Sequence, residues 1–559
     1  MDTEFTKKFL MSDDQSLCDL SCFVGDFFFV LGSSRYTPVD GPSLFMKSLF
    51  RLLTTGLLPV LAFQQISFSQ DAADYNIVLI VADDMGYGEV GAFDPDGRFE
   101  TPRLDRMADE GAKLTRFYVP TPYCAPSRGT FLTGRYPFRH SVVGNPSPDS
   151  GGNNFGLPPS EVTIAELLKS KGYATAAFGK WHLGHRDPWL PRSQGFDEYY
   201  GILYSNDMFP VQLVHNETVV EYPVAQGKLS QLYTDLAIDF IEKNKDQPFF
   251  VYLPHAMPHK PLAVSDNFYT PDTPDNLYED VIAELDHCVG QVLDSLVQNG
   301  LDRKTLVIFT SDNGPNQGGS TGGLRGMKGR VWDGGMRVPF IARLPGVIPS
   351  GVENSNPTAS VDLLPTFCSL VGVNIPSDRT IDGANILPMF QSGVVSSPNK
   401  AVFGMKGGDL ACIWSDQWKL HVLDPGRSDM RGLSDQEAID WIDPRAPNGV
   451  SIIAPYEQAK AYEIPGLVTG DASKAMMLFD LDADMGEQHD LSAKHPEVVQ
   501  RLKRLYDETN AQVVQYPAPK SDYLFDPPGR GESRQLMHLI GGELKYDRVP
   551  KSQKPLLAE

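Results

Sequence analysis

Four short apolar runs, at residues 75–81, 173–178, 249–253 and 305–310, each have the length of a buried strand, and polar residues follow each at once. The first ends in Asp83-Asp84 and the second in Gly179-Lys180-Trp181-His182. The third ends in His255 with His259 just beyond, and the fourth in Ser311-Asp312-Asn313-Gly314. Between these runs the apolar period changes to that of a helix. Ser160 is placed to cap a helix carrying Ile164, Leu167 and Leu168 on one face, which Gly172 closes. Thr101-Pro102 opens another with Leu104, Met107 and Ala108. Residues 279–299 form a third, with Ile282, Leu285, Val289, Leu293 and Leu296 at helical spacing ahead of Gly300. Strands alternating with helices predict an α/β domain with a mostly parallel central sheet flanked by helices. Ligands bind such sheets outside the carboxyl ends of the strands, so the four polar clusters are expected to meet in one crevice.

Beyond about residue 400 the texture changes. Residues 401–405, 410–414, 418–422 and 477–481 read as short strands joined by turns. A helix follows Pro496 with Val498, Val499, Leu502 and Leu505 on its apolar face. This predicts a smaller C-terminal domain with an antiparallel sheet and a helix. The tail from Gln515, rich in Pro, Gly and charge, reads as either an ordered arm or a loose end, and no internal repeats are present. At the other end, Met46, Lys47 and Arg51 precede an apolar run at 52–63 and small or polar residues up to Gln70. A basic start, a short apolar run and a polar exit describe a secretory signal peptide cleaved near Ser69 or Gln70, the run being short for a membrane span. The rival readings are an uncleaved anchor or a disordered leader. The organisation expected is an over-called start at 1–45, a signal peptide at 46–70, a catalytic domain at 71–399 and a smaller domain with tail at 400–559. The destination is secreted or periplasmic, without stable membrane insertion.

Composition narrows the partners. At 559 residues, with 41% hydrophobic and 21% charged residues, the chain is an ordinary globular protein long enough for two domains. A formal net charge of -22 argues against nucleic acid and anionic membranes. An anionic substrate would then need a local cluster of Lys, Arg, His and metal. Beyond the N-terminal segment the cysteines are Cys124, Cys288, Cys368 and Cys412, too few for a disulfide framework. Cys288 falls on the helical pattern and reads as core. Asn216-Glu217-Thr218 is a glycosylation sequon, meaningful only in a eukaryotic secretory pathway.

Asp83, Asp84, Asp312 and Asn313 offer hard oxygen ligands from two strand ends, a set suited to calcium or magnesium rather than zinc. Adjacent acids after a strand are often only a solvated turn, a lone Lys is usually a surface residue, and a lone His is often a satisfied structural one. Here two strands end in matching acid and amide pairs, and Cys124-Ala125-Pro126-Ser127-Arg128, continuing through Gly129-Thr130-Phe131-Leu132-Thr133-Gly134-Arg135, is contiguous. That stretch resembles the signature of sulfatases. Gly172-Tyr173 through Gly179-Lys180-Trp181-His182 resembles their second signature. Lys328, ahead of Gly334-Gly335-x-Arg337-Val338-Pro339, looks like the second catalytic lysine, and His259 in Pro258-His259-Lys260-Pro261 matches the histidine near the leaving group. The motifs span roughly 75 to 345, with Leu478-Phe479-Asp480-Leu481 and Gly486-Glu487 as a looser closing pattern. Ala125 stands where serine or threonine is often found.

The resemblance, to formylglycine-dependent sulfatases of the arylsulfatase A-like type, implies an alkaline-phosphatase-like large domain and oxidation of Cys124 to formylglycine by a formylglycine-generating or anaerobic sulfatase-maturating enzyme. One hydroxyl of the hydrated aldehyde attacks the sulfur, and the other expels the bound sulfate. One calcium is implied between Asp83, Asp84, residue 124, Asp312 and Asn313. Arg128 and the metal hold the nucleophile, and Asp312 helps remove its proton. Lys180, Lys328 and His259 bind sulfate, His259 or Lys328 protonates the leaving alcohol, and His182 takes the last proton. An exported acidic sulfatase fits sulfated carbohydrates, with Tyr204, Ser205, Asn206, Asp207 and His255 as candidates for the sugar subsite. A phosphodiester or phosphonate monoester hydrolase of the same superfamily is the enzymatic alternative, and a non-catalytic glycan-binding relative the non-enzymatic one.

Overall fold

The computed structural model describes residues 74–146, 156–208, 211–222, 224–270, 277–429 and 463–516, together with the backbone of 533–540 and 543–550. The signal-peptide reading and most of the tail fall outside these residues, although β18 (Ser533–Ile540) and β19 (Glu543–Pro550) pair as an antiparallel hairpin. A ten-stranded sheet runs in the order β12 (Val352–Asn354), β2 (Ala112–Leu114), β11 (Phe340–Arg343), β9 (Thr305–Ser311), β1 (Asn76–Ala82), β8 (Phe249–Pro254), β4 (Ala174–Phe178), β5 (Glu198–Ile202), β6 (Leu213–His215), β7 (Thr218–Glu221). Its middle, β9-β1-β8-β4-β5, is wholly parallel, and antiparallel pairing enters only toward the edges.

The strand sequences explain this layer. In β1, Ile77, Leu79 and Val81 point to one side, where the helices Ile164–Ser170 and Leu363–Val371 pack. Val78, Ile80 and Ala82 point to the other, against Pro102–Asp109, Leu229–Lys243 and Leu277–Gln298. A strand buried on both faces has no polar alternation, which is why it reads as one apolar run. The sheet is stitched laterally just past its carboxyl edge. Asp312 N donates to Ala82 O at 3.2 Å, Asp83 N to Met257 O at 3.1 Å, His255 N to Val81 O at 2.9 Å and Lys180 N to Pro254 O at 2.8 Å. The four polar clusters therefore stand side by side.

Two helix boundaries differ from expectation. Thr163, not Ser160, caps the helix that begins at Ile164. Thr163 Oγ1 accepts from Glu166 N at 3.1 Å while Glu166 accepts from Thr163 N at 2.7 Å. This reciprocal pair satisfies two orphan donors at once, which Ser160 has no acidic partner to match. The long helix already includes Leu277 and Tyr278, ahead of the expected start at Glu279.

After residue 400, β14 (Val402–Lys406), β15 (Asp409–Ser415), β16 (Trp418–His421) and β17 (Met477–Asp480) form an antiparallel sheet, and the helix Pro496–Asn510 buries Leu502 and Tyr506, with Val498, Val499 and Leu505 partly covered. This sheet shares a core with Tyr118, Trp332 and Met336. A three-stranded patch, β10 (Arg337–Val338), β3 (Phe117–Tyr118) and β13 (Thr358–Ala359), gives Tyr118 and Ala359 to that core and Phe117 and Val338 to the core of the large sheet. Cys124, Cys288, Cys368 and Cys412 are all buried free thiols.

Candidate active site

Cys124 is the first residue of the helix Cys124–Thr133, which is buried along its whole length and ends at Gly134 with a φ of 66°. Pro126 is tolerated because the first turn has no intrahelical acceptor for its missing N–H. Gly129 allows the helix to pass the His140 ring, since a Cβ there would meet the ring at 2.9 Å. The Cys124 Sγ lies 3.9 Å from Asp84 Oδ1. One ligand atom each from Asp83, Asp84, Cys124 and Asp312 lie within 4.8 Å of one another. Two residues that follow strand ends, Asp84 (φ 68°) and His182 (φ 60°), are in the left-handed region, which Asp and His enter more readily than most residues.

Cations match the carboxylates. Arg128, one turn beyond Cys124, holds Asp312 Oδ2 through Nε (2.8 Å) and Nη2 (2.7 Å), donates Nη1 to Lys180 O (2.6 Å) and reaches Asp83 Oδ1 at 3.5 Å. Lys180 Nζ pairs with Asp83 Oδ2 at 2.5 Å and donates to Ser205 Oγ at 3.1 Å. Lys328 Nζ pairs with Asp84 Oδ2 at 2.6 Å. Asp83, Asp84 and Asp312 are thus each faced by Arg128, Lys180 or Lys328 inside a cluster closed to solvent. Burial pushes Asp83 up to about 7 against the pull of Lys180, with Asp312 crowding it further. Asp312 is equally buried, yet Arg128, Lys180 and Lys328 hold it below the usual carboxylate value. Burial also drives the Cys124 thiol well above its ordinary value, so the unmodified residue is a thiol, not a thiolate, at neutral pH.

The histidines have assignable tautomers. His182 Nε2 lies 3.1 Å from the Pro146 carbonyl, which only accepts, so Nε2 carries the proton and Nδ1 keeps its lone pair. Burial, then Lys180, lowers its pKa well below the ordinary value, and among the described residues Nδ1 has no hydrogen-bond partner. His259 Nδ1 faces Lys260 O at 2.7 Å and Asn206 Oδ1 at 2.9 Å, both acceptors, so Nδ1 is protonated and Nε2 faces Asp84 Oδ2 at 3.7 Å.

A hard divalent cation fits this donor set. Among the described residues, Asp83 Oδ1 and Asn313 Oδ1 are buried and accept no hydrogen bond, with Arg128 Nη2 standing 3.5 Å from the former. Asn313 is locked in place by Nδ2, which donates to Asp84 Oδ1 at 2.8 Å and to Gly314 O. Buried oxygens without donors, among converging carboxylates, are what a calcium-type site requires.

The predicted sugar-binding residues divide. Asn206 is buried and clamps the histidine loop, donating to His259 O and Pro261 O, both at 3.1 Å. Asp207 is exposed. His255 is buried beside Tyr233, and among the described residues neither ring nitrogen has a hydrogen-bond partner. Among the described residues its ring makes no hydrogen bond to the carboxylates. Ser205 bridges Lys180 and His259, accepting from the first and lying 3.3 Å from the ring of the second. Its place directly after a buried Tyr in a strand-end loop was the only sequence signal for that role.

The Sulfatase family model matches residues 75–373. N-acetylgalactosamine-6-sulfatase of Rattus norvegicus is 34% identical over 493 residues, covering 82% of this chain and 88% of the relative. Arylsulfatase G of Rattus norvegicus is 34% identical over 440 residues, covering 68% and 82%. The crystal structure of Ps i-CgsB in complex with k-i-k-neocarrahexaose is 28% identical with a TM-score of 0.63, covering 79% of this chain and 94% of that one. The phosphonate monoester hydrolase of Agrobacterium radiobacter, 17% identical with a TM-score of 0.53 over 86% of this chain and 100% of that one, shares the fold alone.

Proposed function

This chain belongs to the sulfatase family and is a sulfuric ester hydrolase, and from that premise we propose that it desulfates carbohydrates through a formylglycine at position 124 and a calcium ion. The observation that carries the reading is the buried convergence of Cys124 with three carboxylates and three fixed cations. The sugar substrate is supported by the carbohydrate chemistry in the names of relatives at 28 to 34% identity.

Oxidised and hydrated, residue 124 supplies two geminal hydroxyls, one to attack the ester sulfur and one to expel sulfate. Calcium held by Asp83, Asp84, Asp312, Asn313 and residue 124 supplies polarisation of a sulfate oxygen and a lower pKa for the attacking hydroxyl. Arg128 keeps Asp312 ionised, so that Asp312 accepts a hydrogen bond from the residue-124 hydroxyl and draws its proton away. Lys180 Nζ and Lys328 Nζ donate to sulfate oxygens, and losing one such preorganised donor costs roughly 3–4 kcal/mol in the transition state. His259, in its doubly protonated form with Nδ1–H tied to Lys260 O and Asn206 and Nε2–H facing Asp84, delivers the Nε2 proton to the leaving oxygen and is left as the Nδ1–H tautomer. His182 Nδ1, the unprotonated nitrogen, takes the proton released when the second hydroxyl collapses. The 46–70 segment supports export, and a maturating enzyme is the partner that the cysteine requires.

Peptide mass spectrometry of active enzyme should find an aldehyde at residue 124. A Cys124→Ser variant should keep its fold and lose multiple turnover, because one hydroxyl cannot leave as a carbonyl. Full activity from unmodified thiol would end the formylglycine reading. Faster turnover of an aryl phosphodiester than of the matching aryl sulfate would replace the sulfatase reading with the phosphodiesterase one. Defined sulfated oligosaccharides then identify the sugar.

A further inference from the structure

Lys328 lies between Gly326 and Gly329, which adopt φ values of 83° and 80°. Glycines in this conformation give the loop little stiffness of its own, yet Lys328 Nζ is held 2.6 Å from Asp84 Oδ2. Lys328 N donates to Pro315 O at 2.9 Å and Gly329 N to Pro122 O at 3.0 Å, and the two ends of the loop are restrained by the C-terminal part of the chain. At one end of the loop, Arg325 donates Nε to Ser428 Oγ (2.9 Å), Nη1 to Glu487 O (2.9 Å) and Nη2 to Asp471 O (3.0 Å), and covers the Trp332 ring at 3.8 Å. At the other end, Asp333 N donates to Glu487 Oε2 at 2.6 Å. Lys419 Nζ then joins Asp333 Oδ1 and Glu487 Oε1, both at 2.8 Å, and donates to Val331 O. His421 Nε2 adds a contact to Glu487 Oε1 at 2.7 Å, and Gly334 N closes the loop onto Arg325 O.

Asp333, Lys419, His421 and Glu487 are all closed to solvent. Apolar residues of similar volume fill such space at least as stably, so stability alone does not account for an ionic network here. What the network adds is direction: Glu487 holds the Asp333 N–H, Lys419 of β16 holds the Val331 carbonyl, and Lys419 with Trp414 of β15 holds the Asp333 carboxylate.

We propose that Glu487, with Lys419 and Asp333, positions Lys328 for catalysis, so that the small C-terminal sheet is a working part of the sulfatase site. The proposal rests on the reading of Lys328 as a sulfate-binding group. These are positioning residues: among the described residues they bond to the 325–334 loop and to one another, not to Cys124, Asp83, Asp84 or Asp312.

A double-mutant cycle on matured enzyme with an activated aryl sulfate tests it, using Glu487→Gln and Lys328→Met, with thermal melting to verify folding. Glu487→Gln is expected to lower kcat/KM by about 10- to 100-fold, the range that a misplacement of roughly 1 Å produces. In the Lys328→Met background the same change is expected to cost less than about 2-fold, because residues acting through one group are non-additive. Ser428→Ala loosens the other end of the loop with little threat to folding, and its smaller loss should vanish in the same background, so a Glu487→Gln protein that does not fold leaves the test intact. Losses that multiply in the Lys328→Met background overturn the positioning role. No loss from Lys328→Met alone overturns instead the reading of Lys328 on which the role depends.

Discussion

Replacing Arg128 by lysine keeps the buried positive charge and removes the geometry, which separates the two. Arg128 hydrogen-bonds Asp312 Oδ2 through Nε, places Nη2 2.7 Å from the same oxygen as an ion pair, and donates Nη1 to the Lys180 carbonyl. A lysine ammonium reaches one of these groups. Losing half of the charge-assisted contact to Asp312 costs about 1–2 kcal/mol, and leaving the Lys180 carbonyl buried without a donor costs about 1–3 kcal/mol. The expected destabilisation is therefore roughly 2–5 kcal/mol. Arg128→Met adds the penalty of unpaired buried carboxylates, about 3–5 kcal/mol more. Urea unfolding of the matured enzyme at fixed calcium reads both. Arg192→Lys, in the exposed pair with Glu217, serves as control and should stay within about 0.5 kcal/mol. If Arg128→Lys also stays within that margin, or Arg128→Met is no worse than Arg128→Lys, the guanidinium is not what organises the carboxylates.

Three other outcomes are expected. Calcium at about 100 times its dissociation constant should stabilise the enzyme by roughly 2.7 kcal/mol, and crystals should show oxygen ligands at about 2.3–2.6 Å; tetrahedral nitrogen coordination, or active metal-free enzyme, would contradict the site. His259→Ala should slow every sulfate ester, and poor leaving groups most, whereas His255→Ala should reduce stability while sparing an activated aryl sulfate; kinetics showing the larger aryl sulfate loss for His255→Ala would exchange their roles. Burial raises Glu89 to about 8, against hydrogen bonds from the Ser320 and Gly86 backbone and from Tyr278. The folded chain therefore keeps a proton that the unfolded chain releases above its ordinary value of 4.5. That stability is fully present below 4.5 and is lost as pH rises through about 8. Glu89→Gln should flatten the fall in melting temperature between pH 5 and 8.5, and an unchanged slope would show that another group is responsible.

The chemistry was legible because it is written at strand ends. Asp83, Lys180, His259 and Asp312 each follow an apolar run, and a parallel sheet leaves such residues nowhere to go but one edge. Thr163 was missed as a cap because Ser160 also precedes the helix, and only Glu166 three residues on distinguishes them. The pairing of Lys180 with Asp83 and of Lys328 with Asp84 depends on separations of 97 and 244 residues, for which local pattern carries no signal. Glu487 was visible as part of a closing motif, but its partners Lys419 and Asp333 are unremarkable in sequence. Nothing in a strand pattern says that a lysine of β16 points inward to meet them.

Asp84 and His182, both in left-handed backbone, expose this protein to a conflict under selection. At either position glycine would relax the main chain, by up to about 1–2 kcal/mol for an ordinary residue, while deleting a carboxylate or a base from the proposed site. Glycine at 84 would also strand the buried Lys328 ammonium at a cost of about 3–5 kcal/mol, and glycine at 182 would empty the space of a fully buried ring, so packing and charge, not the local backbone preference, hold both residues in place. Thermostabilisation of this enzyme should therefore hold residues 84 and 182 fixed and seek its gains on surfaces remote from the carboxyl edge of the sheet.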